Sequence, residues 1–153
     1  MSKASCLPAS FKLSTWVLGI ALSGLLTACG KESKGFDTLA LLEGEQIYKV
    51  ECASCHGANM EGEANWRNRK PDGKLPAPPH DASGHTWHHP REQLFAITKF
   101  GMVPPQAPDN YASDMPAFSK TLSDQQISNV LDYIENKWPA DIQAKRAERF
   151  GKQ

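Results

Sequence analysis

Apolar positions fall at helical spacing near the C-terminus. Ile127, Val130, Leu131, Ile134 and Trp138 stand at i, i+3, i+4, i+7 and i+11, one stripe on one helix face. Ser123 precedes the stripe as its N-cap. Pro139 interrupts it, and a short further helix is expected through Ile142, Ala144, Ala147 and Phe150. An earlier helix reads over residues 38–52, capped by Asp37 or Thr38. Gly44 within it costs about 1 kcal/mol against Ala, a cost that close approach by another helix would offset. Tyr48 lies one turn on, on the same face. A third helix spans about 90–100, with Pro90 at its first position, Leu94, Ile97 and Phe100 on its apolar side, and Gly101 as its stop. Between residues 56 and 90 runs a long loop rich in Pro, Gly and His. The pattern predicts an all-α chain of three to five helices with long loops.

The N-terminus has a different character. Lys3 and Lys12 precede an apolar stretch from Thr15 to Leu26, which is too short for a membrane span of about 18–20 residues and has the form of a secretory signal. Its end, Leu26-Thr27-Ala28-Cys29, resembles a bacterial lipobox, which implies cleavage after residue 28 and a lipid on Cys29. The expected organisation is residues 1–28 as signal, 29–37 as lipidated cysteine and polar tether, and 38–153 as the working domain with a short C-terminal extension. Such a protein sits outside the cytoplasm, where thiols are not kept reduced, and is held to a membrane by lipid. Gly30 after the cysteine resembles the outer-membrane-sorted kind, so the expected location is the periplasmic side of a bacterial membrane.

Composition adds exclusions. The chain has 153 residues, with 17 basic and 17 acidic. Without basic excess, bulk electrostatic binding of nucleic acid is not expected. A hydrophobic fraction of 40% suits a folded domain. Four cysteines admit two disulfides, a zinc site, a redox pair or a haem.

Cys52-Ala53-Ser54-Cys55-His56 narrows that choice. Two thiols three residues apart suit addition to the two vinyl groups of one haem, and the adjacent His56 is placed to ligate its iron. A thioredoxin-like pair would need a preceding strand, whereas the preceding segment reads as helix. A structural zinc site needs four ligands, and the other cysteines, Cys6 and Cys29, lie in the signal region. A plain disulfide leaves His56 unexplained.

Over roughly residues 38–138 the chain resembles the class I, mitochondrial-type cytochromes c of bacteria. The likeness rests on a helix running into Cys-x-x-Cys-His-Gly, on the later Met115-Pro116-Ala117-Phe118 and on the amphipathic last helix. It implies one covalent haem c on Cys52 and Cys55, with His56 and Met115 as axial ligands. Met60, Met102 and a second histidine are the other candidates for the far side of the iron. In relatives a proline carbonyl orients the iron-ligating His. Pro78 is the choice here, ahead of Pro79, although His80 stands where relatives commonly carry an apolar residue. Gly44 and Tyr48 are expected to cross the last helix at Tyr133. Arg67, with Arg69, and the indoles Trp66 and Trp87 are candidate donors to the haem carboxylates.

The implied function is electron carriage without catalysis, with redox proteins as partners and a larger respiratory complex as a conceivable setting. A haem-based sensor of small ligands is the alternative, or a haem subunit of an oxidase or dehydrogenase. The cluster His80, His85, His88 and His89 raises a further alternative, a second metal and copper handling, since imidazoles suit copper and zinc. Lys145, Arg146, Arg149 and Lys152 read as a solvated helix end or a docking patch.

Overall fold

In the computed structural model, residues 37–151 are described, and they belong to one compact unit. The signal, Cys29 and most of the tether lie outside these residues. Among the described residues there are helices and loops and no strand, so the all-α expectation holds.

Helix α1 covers Thr38–Ile47. The Asp37 carboxylate caps it by accepting the Leu39 N–H at 3.0 Å. The sequence predicted one α-helix through residue 52. Instead the chain widens into a π-helical turn over Tyr48–Cys52, in which Ala53 N–H reaches back to Tyr48 O. A short α2, Ala53–His56, follows and stops at Gly57, which has a φ of 84°. The wider turn rotates the residues behind it relative to a continuous α-helix, and such turns cluster at functional sites. A 3-10 turn, Thr86–His88, then leads into α3, Arg91–Phe100. Pro90 is the N-cap of α3, one residue outside the position expected for it, and Gly101 ends the helix with a φ of 83°.

Helix α4, Asp124–Asn136, opens with Ser123 and Gln126 in a reciprocal capping box. Ile127, Val130, Leu131 and Ile134 are buried along its face, as the spacing predicted. Trp138 is buried as well, but it stands past the helix end, where its indole N–H donates to His80 O at 2.7 Å.

Helices α1 and α4 cross at Gly44. A Cβ there would stand 2.1 Å from Asn129 O and 2.9 Å from Tyr133 Cβ. Only a glycine lets the two backbones come this close. Tyr48 and Tyr133 pack beside the crossing with ring centroids 5.7 Å apart. The core gathers around this contact from Ile47, Leu94, Met60 and the α4 stripe.

Helix α5, Ala140–Phe150, departs from its expected apolar face. Ala144 and Ala147 are exposed, and the inward positions are Ile142 and Arg146. Arg146 is 6% exposed. It donates to Glu135 Oε1 at 3.2 Å, to Trp87 O at 3.2 Å and to His89 O. It is therefore neither a solvated helix end nor a docking cation, but the bolt that fastens α5 to α4 and to the 3-10 turn. Arg91 joins α3 to α4 through Asp132 at 2.7 Å and Glu135 at 3.0 Å.

Candidate functional site

His56 ends α2 and is 8% exposed. Its Nδ1 lies 2.8 Å from Pro78 O. A carbonyl only accepts, so Nδ1 carries the proton and Nε2 keeps its lone pair. Burial holds the imidazole below its usual pKa, partly countered by the Pro78 bond, so it is neutral at neutral pH. A neutral ring with its outer nitrogen free is the form a metal requires.

The loop that carries Pro78 is held from several sides. Glu63 N–H donates to Ala77 O at 2.9 Å, and Ala77 N–H returns to Glu63 Oε2 at 2.6 Å. Gly62, with a φ of 69°, packs against Pro78 so closely that a Cβ would meet its carbonyl carbon at 2.7 Å. Met60 O accepts from His80 N–H at 2.8 Å and from Asp81 N–H at 3.2 Å. Met60 has a φ of 69° and is buried in the core. His80, the residue that departs from the family pattern, stacks on His56 with ring centroids 3.9 Å apart. Its Nδ1 is 2.9 Å from Thr86 Oγ1. Burial, with help from His56, holds it well below the usual imidazole range, so it serves as a neutral slab against the neighbouring ring.

Tyr48 has a role the sequence did not disclose. Its hydroxyl donates to Gly57 O at 3.0 Å, with His56 O at 3.5 Å, and so ties the π turn to the end of α2. Only its place four residues before Cys52 hinted at this.

Cys52 is half-buried, Cys55 is exposed, and both are free thiols. Burial pushes the Cys52 thiol up to about 12, whereas a redox-active Cys-x-x-Cys depresses it. Cys52 therefore lacks the depressed pKa of a redox-active pair.

Met115 is half-buried in a segment, residues 112–118, that has neither helix nor turn. Its N–H donates to Ser113 Oγ at 3.1 Å. Asp114 pairs with Lys74 and with Lys70, the latter at 3.5 Å. Hydrogen bonding to Lys74 holds the Asp114 carboxyl below its ordinary pKa. Met102 is also half-buried, beside Gly101.

The candidate carboxylate donors are dispersed. Arg67 is exposed and lies over the Trp66 ring at 4.0 Å. Arg69 donates to Gly73 O at 2.6 Å. Trp87 Nε1 is buried with no acceptor among the protein atoms. The alternative of a second metal at the histidine cluster finds no support in the geometry. Among the described residues no three His, Cys, Asp or Glu side chains converge to hold an ion. His85 stacks on Trp66 at 5.2 Å and meets the His89 ring edge-on at 5.3 Å, His88 stacks on Trp87 at 3.6 Å, and His80 turns in to Thr86.

These residues fit a haem c: two free thiols, an adjacent neutral imidazole with its outer nitrogen available, and an orphaned buried donor suited to an anionic oxygen. When bound, that group supplies a one-electron ferric/ferrous couple.

Residues 40–134 match the family described as cytochrome c oxidase, cbb3-type, subunit III. Among curated proteins, cytochrome c-551 of Bacillus subtilis (strain 168) is 48% identical over 59 residues, covering 33% of this chain and 53% of that protein. The cbb3-type cytochrome c oxidase subunit FixPc of Rhizobium leguminosarum bv. viciae is 27% identical over 95 residues, covering 62% of this chain and 29% of that protein. The chain thus spans about half the length of the first and under a third of the second. No solved structure matches it. The match across more than half of the chain, carried on an all-α fold, places the chain in that family, as a class I cytochrome c with one covalently bound c-type haem.

Proposed function

We propose that the protein is an electron carrier anchored by lipid on the periplasmic side of a bacterial membrane, with one haem attached at Cys52 and Cys55 and held between His56 and Met115. The observation that carries this reading is the 2.8 Å contact between His56 Nδ1 and Pro78 O. It fixes the ring and its tautomer before any iron is present, and preorganisation of this kind suits rapid electron exchange without rearrangement. Cys29, with its lipid, confines the carrier to a membrane surface. Among the described residues no helix is long and apolar enough to cross a membrane. Redox partners dock transiently, and a haem-bearing place in a respiratory oxidase is the second reading, favoured by the family description and by the FixPc relative.

The test is expression of the full chain in a host that attaches haem c. The expected product holds one haem per chain, shows a thioether–iron absorption band when oxidised, and resists carbon monoxide when reduced. Met115→Ala removes the band and admits carbon monoxide. Retention of the band in that variant would overturn the axial assignment, and ready carbon monoxide binding by the unaltered protein would favour the sensor. Mass spectrometry of the mature N-terminus checks the acyl group on Cys29.

A further inference from the structure

We infer that Asp114 is a positioning residue for Met115, clamped by Lys70 and Lys74 so that a charge cluster sets how firmly the sulfur is presented. The inference rests on the reading of Met115 as an axial ligand.

The backbone gives Met115 little support. Residues 112–118 form neither helix nor turn. The next backbone ties lie at the far end of the segment, where Phe118 N–H donates to Thr98 O at 3.1 Å and Ser119 N–H to Lys99 O at 3.0 Å. At the Met115 end the fastenings are side chains. Ser113 Oγ accepts the Met115 N–H, and Asp114 takes one lysine on each carboxylate oxygen. Both lysines come from the loop at residues 70–74, some 40 positions away in sequence. Arg69 adds a second link, with its guanidinium 5.4 Å from the Tyr111 ring centroid. Lys70 and Lys74 are only about one-third exposed, at 36% and 32%. Asp114 itself is 52% exposed, and single exposed ion pairs contribute little, but several charges joined as a network hold geometry better than one pair alone. A ligand next to such a clamp inherits its stiffness.

The test uses the full chain matured with haem, read by the thioether–iron band and by the rate of carbon monoxide uptake. Asp114→Asn and the double variant Lys70→Gln/Lys74→Gln are expected to weaken the band and to raise the uptake rate about threefold. Salt at about 1 M, where screening acts within ~3 Å, moves the unaltered protein toward Asp114→Asn and leaves that variant where it was. If Met115→Ala abolishes the band while the Asp114 and lysine variants match the unaltered protein at low salt, the clamp is overturned and Met115 stands. If the band is absent from the unaltered protein, or survives in Met115→Ala, the axial reading falls and the clamp falls with it.

Discussion

Gly44 shows how much one missing carbon decides. Alanine is the better helix former by about 1 kcal/mol, yet here its Cβ would sit 2.1 Å from a main-chain oxygen of α4. Backbone cannot swing aside as a side chain can. Gly44→Ala is expected to lower stability by about 2–3 kcal/mol, read as a shifted urea midpoint of the haem-loaded protein. The glycine was legible because it stood one turn from an aromatic on a helix that otherwise had no reason to carry it. His56 was legible for a different reason: covalent attachment needs its groups contiguous, so the chemistry is written in five adjacent letters. Pro78, which touches His56 from 22 positions away, could be named only through the resemblance, since nothing local marks one proline of Leu75-Pro76-Ala77-Pro78-Pro79 over another. His80 was legible only as a departure, because its stacking partner is distant in sequence.

At the scale of elements, α4 was the most readable, with a periodic stripe and a capping box at its start. Ser123→Ala is expected to cost about 1 kcal/mol, and Ser123→Gly only a few tenths; thermal melts of the two variants side by side check the order. Helix α5 was expected after Pro139, but how it docks was not legible. Periodicity searches reward apolar side chains, whereas this helix docks through the guanidinium of Arg146. Its partners, Glu135 and the carbonyls of Trp87 and His89, lie 11, 59 and 57 residues away. Arg146→Ala leaves Glu135 with Arg91 but strips a donor from two carbonyls, so the expected loss is about 2–3 kcal/mol. Hydrogen exchange should show α5 opening independently while α1 and α4 stay protected. The π turn escaped the sequence because the residues that widen a helix by one position are the same residues that continue it.

For the whole molecule, the haem is held by covalent bonds as well as by its iron ligands in the proposed reading. With Cys52→Ala and Cys55→Ala together, the haem is expected to leave on acid–solvent extraction, while the unaltered protein retains one per chain. The helical fold and the attachment motif could be read from the chain alone. How the long loops fold against His56 and Met115 could not, because their contacts are set by carbonyls and paired charges rather than by any repeating pattern.

The crossing at Gly44 also carries a consequence for timing. Its two sides are distant along the chain, with Gly44 in the first helix and Asn129 in α4. Closing a loop of that length is slow. During that interval the segment from Cys52 to His56 exists without the helix that will later brace it. Haem attachment is expected to be easiest in that interval, before the core closes on Cys52, which is half-buried in the folded chain.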